Sequence, residues 1–159
     1  MKTIDIFTDG ACRGNPDGPG GYGAVLKYKD ADGTEHIKEL SDGYLNTTNN
    51  RMELMGVLVA IKALKSPCNI RVHTDSQYIV KAFTEGWLNN WIKNNWRRGK
   101  KKEAVKNQDL WEQLVEVIKP HQVEFIWVKG HDGHVENERC DELATLAADS
   151  NPKKIDQAK

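Results

Sequence analysis

The chain has 159 residues with 23 basic and 23 acidic side chains, and 38% of its residues are hydrophobic. This length predicts one domain with a substantial core, and no apolar run approaches the roughly 20 residues of a transmembrane helix. An acid as early as Asp5 argues against a signal peptide. Three cysteines without a C-x-x-C pair indicate reduced thiols in a cytoplasmic protein.

The net charge of zero hides an uneven distribution of charged residues. Residues 91–106 contain seven basic residues and one acid, a net charge of +6, so the remainder of the chain carries −6. A local basic patch attracts polyanions even when the whole protein is neutral. The charge pattern therefore indicates a basic lobe on an acidic body.

Apolar periodicity and turn signals predict the elements in chain order. Three antiparallel strands are expected near 3–8, 21–29 and 35–43, followed by a buried helix over 48–64. Beyond Pro67 the pattern predicts a strand at 70–74, helical segments at 76–85, 87–98 and 107–118, a strand at 123–128 and a last helix at 135–148. This order predicts an α/β fold with a mixed five-stranded sheet, three strands antiparallel and two parallel, and helices on both faces.

One domain is expected over residues 1–150, with a basic protrusion at about 87–106. The tail at 151–159 is polar, and we expect it to fray after Pro152.

Four acidic residues lie in settings that suit an active site. Asp9 and Asp75 end predicted strands, and Glu53 and Asp141 lie in predicted helices. Each alone has an ordinary explanation, as a turn residue or a surface charge. Together they would repel one another unless cations bound them, and hard cations such as Mg²⁺ prefer oxygen ligands. Because two such ions about 3.5–4 Å apart can clamp a phosphodiester, the four acids indicate a metal-dependent nuclease.

The acids lie within longer stretches that resemble the bacterial ribonuclease H type 1 enzymes. The matching stretches, in order, are FTDG (7–10), GGYGA (20–24), TTNNRMEL (47–54), TDSQY (74–78), VKGHDGH (128–134) and ENERCDELA (136–144). Several long motifs in one order are far more specific than a single short pattern. The resemblance covers residue 3 to about residue 148 and implies a ribonuclease H-like fold.

The resemblance also implies an activity and a cofactor. The expected enzyme is an endonuclease that hydrolyses the RNA strand of RNA/DNA hybrids, leaves 5′-phosphate and 3′-hydroxyl ends, and serves primer removal and hybrid resolution. Asp9, Glu53, Asp75 and Asp141 are the implied ligands of two Mg²⁺ ions, for which Mn²⁺ could substitute. The expected protein is a monomer with no membrane partner.

His131 is the implied catalytic histidine, acting in proton transfer or product release near the metals. An imidazole titrates near neutral pH and suits this role. The alternative is a zinc site formed by His131, His134 and Cys140, but a structural zinc site needs a fourth ligand, and none is evident in the sequence.

The resemblance assigns substrate contacts to two groups of residues. The amides are Asn15, Asn49, Asn50 and Gln77, and an amide can recognise the ribose 2′-hydroxyl that separates RNA from DNA. The alternative for Asn49 and Asn50 is helix capping. The second group is in the basic protrusion, whose aromatic rings and cations can contact sugars and phosphates: Trp87, Trp91, Lys93, Arg97, Arg98, Lys100, Lys101 and Lys102. Its alternative is a solvated basic face.

The chain departs from the family in two places: the turn at 15–20 is one residue longer, and Val135 occupies a position where many relatives have proline. Two other functions remain open at this point. One is a related metal-dependent nuclease that cuts DNA, and the other is a hybrid-binding module without catalysis. The asparagine pair argues against the first, and the presence of all four acids argues against the second.

Overall fold

The computed structural model describes residues 1–14, 17–129 and 134–156. In chain order, its elements are β1 (Lys2–Cys12), β2 (Gly18–Lys29), β3 (Glu35–Thr47), α1 (Asn49–Lys62), β4 (Cys68–Thr74), α2 (Gln77–Thr84), α3 (Trp87–Lys93), β5 (Arg97–Arg98), β6 (Glu103–Ala104), α4 (Gln108–Ile118), β7 (Gln122–Trp127) and α5 (Val135–Asp149). None of the described helices is long and apolar enough to cross a membrane.

Five strands form one mixed sheet in the order β3-β2-β1-β4-β7. β1 pairs antiparallel with β2, and β2 pairs antiparallel with β3. β1 and β4 are parallel neighbours, and β4 is also parallel to β7. The sheet predicted from the sequence is therefore confirmed. The parallel pairing has a functional consequence, because it brings the carboxyl ends of β1 and β4 to the same edge of the sheet.

Alternation along the strands gives the sheet two apolar faces. On one face, Ile4 and Ile6 belong to the main core, which α1 covers with residues such as Met52. On the opposite face, Phe7 and Val25 form a smaller cluster with Cys140 of α5. Helices thus cover both faces, as predicted. The close approach of α5 to β2 requires Gly23, since an added Cβ there would lie 2.4 Å from the Cys140 carbonyl oxygen.

Two segments differ from the predictions. The helix expected over 87–98 ends at Lys93, because Asn95 and Trp96 adopt positive φ angles of 60° and 62°, which a helix does not accommodate. The following basic residues form a short hairpin in which β5 pairs with β6. The tail was expected to fray, but it is hydrogen-bonded to the body as far as Asp156, which is buried.

Candidate active site

Asp9 and Asp75 lie at the edge of the sheet where the carboxyl ends of β1 and β4 meet. Asp9 is a residue of β1, and Asp75 follows β4 directly. α1 contributes Glu53 from its second turn. Oxygen atoms of these three carboxylates lie within 4.8 Å of one another. The structure thus brings together three of the four predicted acids, from three elements far apart in sequence.

Gly10 allows α1 to approach this edge so closely. A Cβ at this position would lie 2.7 Å from the backbone nitrogen of Glu53. The Gly10 N–H donates to Asp9 Oδ1 at 2.9 Å and to Glu53 Oε1 at 3.1 Å. One backbone donor therefore orients two carboxylates of the cluster.

The electrostatics of the cluster are unfavourable without a cation. Asp9 and Glu53 are only 6% and 4% exposed. Burial raises the pKa of Asp9 to about 6, and the nearby charge of Asp75 adds to the effect. Burial also raises the pKa of Glu53 well above its usual range, and the charges of Asp9 and Asp75 raise it further. Buried carboxylates close to one another resist ionisation in this way.

The donor set fits a hard divalent cation. Glu53 Oε2 is buried and lacks a hydrogen-bond partner among the described residues, so one carboxylate oxygen remains free to bind an ion. All the donors of the cluster are carboxylate oxygens, which Mg²⁺ and Mn²⁺ prefer to nitrogen or sulfur. A bound cation would offset both the burial cost and the mutual repulsion.

Asp141 lies on α5 and is exposed. It lines the same cleft of about 380 Å³ as the other three acids. Among the described residues, however, it does not belong to the group of oxygens within 4.8 Å. All four predicted acids therefore face one cleft, and Asp141 is the most peripheral of them.

Three of the predicted amides line this cleft: Asn49, Asn50 and Gln77. All three are exposed. The cap of α1 is Thr48, whose hydroxyl accepts from the Arg51 N–H at 3.2 Å, and the cap of α2 is Ser76. Capping therefore does not explain Asn49 and Asn50, and their side chains remain available to a ligand.

The basic residues border a second, larger cleft of about 580 Å³. It lies between the α3 tryptophans, Trp87 and Trp91, and the hairpin residues Arg98, Lys100 and Lys101. Trp91 packs edge-on against Trp111 of the core, with ring centroids 5.5 Å apart, and thus anchors α3. The predicted cations of this segment, all exposed, are Lys93, Arg97, Arg98, Lys100, Lys101 and Lys102.

Tyr78 joins the two clefts, although no role was predicted for it from the sequence. Tyr78 lines both the acidic cleft and the basic cleft. Its hydroxyl accepts a hydrogen bond from Trp111 Nε1 at 2.9 Å. The signal was present in the TDSQY stretch, where Tyr78 follows Gln77 and Asp75.

Asn15 and His131 lie outside the described residues, so their predicted roles stay predictions. The zinc alternative depends on Cys140, which is fully buried. Its thiol donates to the Phe7 carbonyl oxygen at 3.1 Å, and burial raises its pKa. A thiol that resists ionisation is a poor zinc ligand. His134, by contrast, is exposed at the N-cap of α5.

Comparison with known proteins shows which proteins the chain resembles. The RNase H family profile matches residues 1–149. Ribonuclease H of Lachnoclostridium phytofermentans is 61% identical over 146 residues, 92% of each chain. Ribonuclease H of Salmonella arizonae is 53% identical over 156 residues, which cover 98% of this chain and 95% of the relative.

Solved structures show the same fold. LC9-RNase H1, a type 1 RNase H with the type 2 active-site motif, superposes with a TM-score of 0.84 at 32% identity, covering 95% of this chain and 74% of that protein. LC11-RNase H1, solved in complex with an RNA/DNA hybrid, has a TM-score of 0.64 at 24% identity, covering 92% of this chain and 97% of that protein.

Proposed function

This chain belongs to the RNase H family, and we propose that it hydrolyses the RNA strand of RNA/DNA hybrids with two bound divalent cations. The observation that carries the metal assignment is the cluster of Asp9, Glu53 and Asp75, whose oxygens lie within 4.8 Å of one another. The partnerless Glu53 Oε2 supports cation binding there. Asp141, on the rim of the same cleft, would complete the ligand set.

Bound cations would supply charge stabilisation to the scissile phosphodiester and would lower the pKa of a water molecule beside it. The chain's own contribution is to hold the carboxylates in place. Gly10 orients Asp9 and Glu53, and the parallel strands fix Asp9 relative to Asp75. Water attack on phosphorus with loss of the 3′ oxygen would leave 5′-phosphate and 3′-hydroxyl ends. In this proposal a ring nitrogen of His131 moves a proton near the leaving group.

In this proposal, the amides that line the acidic cleft discriminate RNA from DNA. Asn49, Asn50 and Gln77 can both donate to and accept from a 2′-hydroxyl, which DNA lacks. Their position beside the carboxylates would place the ribose contact next to the cut phosphate. Asn15 is expected to join them.

Affinity for the duplex is assigned to the basic cleft. Arg98, Lys100 and Lys101 line it together with Trp87, and cations on such a surface bind phosphates without reading sequence. Because Tyr78 belongs to both clefts, one duplex could span the two. We further propose that the protein acts as a monomer in the cytoplasm, where Cys12, Cys68 and Cys140 would remain the free thiols that they are here.

The decisive experiment is cleavage of end-labelled RNA/DNA, RNA/RNA and DNA/DNA duplexes in Mg²⁺, in Mn²⁺ and in EDTA. We expect cuts in the RNA strand of the hybrid alone, none in EDTA, and products that a ligase requiring 5′-phosphates can rejoin. Asp9→Asn serves as the inactive control. Cleavage of DNA/DNA would favour a DNA nuclease, and tight hybrid binding without cleavage would favour a binding module.

A further inference from the structure

Arg51 is a buried cation that the proposed mechanism does not use. It lies in α1 between Asn50 and Glu53 and is 5% exposed. A buried charge is stable only when it is paired. Burial alone would lower the pKa of Arg51, but the hydrogen bonds to Asp109 and Asp156 raise it by more. Arg51 therefore stays charged.

The first partner of Arg51 comes from the C-terminal tail. Arg51 Nε donates to Asp156 Oδ2 at 2.7 Å, and Nη2 donates to Asp156 Oδ1 at 3.0 Å. The Thr47 hydroxyl also donates to Asp156 Oδ2, at 2.6 Å. The tail is held by a second contact, in which the Leu45 N–H donates to the Lys154 carbonyl at 2.8 Å. Asp156 thus fixes both the residue before the α1 cap and the first turn of the helix.

The second set of partners comes from the start of α4. Arg51 donates to both oxygens of Asp109, at 2.9 and 2.7 Å, and Nη1 donates to Asn107 Oδ1 at 3.2 Å. Asn107 Nδ2 in turn donates to the Tyr78 hydroxyl at 3.2 Å. The network therefore extends from the tail through Arg51 to the tyrosine shared by the two clefts.

We propose that Arg51 and Asp156 are positioning residues: by locking the first turn of α1, they place the Asn49 and Asn50 amides for contact with the RNA strand. This inference rests on the proposed function. Both asparagines are exposed, and neither side chain hydrogen-bonds to another residue of the described ranges, so their placement depends on how firmly that turn is fixed. Glu53 has additional support from Gly10, and the carboxylate cluster should therefore be less sensitive to the tail.

The test compares Asp156→Ala, Asp156→Asn and Thr47→Val with wild type, at a temperature where circular dichroism shows every variant to be folded. We expect Asp156→Ala to raise KM for the hybrid roughly tenfold with kcat within about twofold, since lost uniform binding acts on KM. The Kd of a fluorescent hybrid measured in EDTA should rise in parallel. Asp156→Asn and Thr47→Val keep the shape of the network and should give smaller increases in the same direction.

Two control variants separate positioning from general loosening. Lys154→Ala removes only the exposed ion pair between the tail and Asp42, and Val123→Ala weakens packing at the start of β7. Both should keep the wild-type KM and Kd. An equal KM increase in Val123→Ala, or an unchanged KM and Kd in all three network variants, would overturn the positioning role. A wild-type protein that leaves hybrids uncut would instead refute the proposed function.

Discussion

Replacing Asp9 by Asn should stabilise the metal-free protein at neutral and higher pH. Asp9 is buried beside Asp75 and Glu53, and its pKa is raised to about 6. Asparagine has nearly the same shape and carries no charge, and its Oδ1 can still accept from the Gly10 N–H. The substitution removes a charge that is buried and is also repelled by Asp75, so we expect a gain in stability together with a loss of catalysis.

The magnitude follows from the pKa difference between the folded and unfolded states. The pKa of Asp9 rises from 3.8 to about 6, which corresponds to at most about 3 kcal/mol at 1.36 kcal/mol per unit. Between these values the folded protein binds more protons than the unfolded chain, so its stability falls as pH rises. The gain in Asp9→Asn should therefore be near zero at pH 4 and complete above pH 7.

Urea denaturation in EDTA at pH 4, 6 and 8 measures this gain as a free energy of unfolding. The matched control is Asp149→Asn, an exposed carboxyl whose pKa is lowered by its hydrogen bond to Arg13. That control should show no gain at pH 8. Equal stability of wild type and Asp9→Asn at pH 8, or a gain that is largest at pH 4, would refute the conclusion that ionised Asp9 destabilises the metal-free fold.

Three further predictions concern activity. Asp75→Asn should nearly abolish cleavage while hybrid binding persists, and activity retained within about tenfold, ~1.4 kcal/mol, would contradict the metal assignment. His131→Ala should slow turnover roughly 10- to 1,000-fold at unchanged hybrid affinity, whereas loss of bound zinc with unfolding would support a structural site. Replacing Lys100, Lys101 and Lys102 together by Ala should raise KM with kcat intact, and each lost phosphate contact should reduce the slope of log K against log salt by about 0.7–0.9. An unchanged salt slope in the triple variant would mean that these lysines form only a solvated basic face.

The regular elements were predictable because their signals are local. Alternating apolar residues predicted β1 to β3, and an apolar run bounded by Pro67 predicted the buried helix α1. Local signals were weaker in the basic segment. There the backbone turns at Asn95 and Trp96 through positive φ angles, and the helical spacing of the preceding Trp87 and Trp91 does not indicate that change.

The order of the C-terminal tail was not predictable from local sequence, for a different reason. Its composition predicts an exposed and frayed segment, yet Asp156 is buried against Arg51. The reason lies 105 residues away in the sequence, where a buried guanidinium needs anionic partners. No local pattern contains that requirement, since it arises only when α1 and the tail meet.

The sequence by itself determined the chemistry that is available here: carboxylates at strand ends and within helices, amides beside them, and a cluster of cations elsewhere. Only the tertiary structure decided that Asp9, Glu53 and Asp75 approach within 4.8 Å while Asp141 stays on the rim. It also decided that Tyr78 joins the two clefts. The physical reason is that charge repulsion, burial and the pKa shifts that follow depend on distances between side chains from separate elements, and folding alone sets those distances.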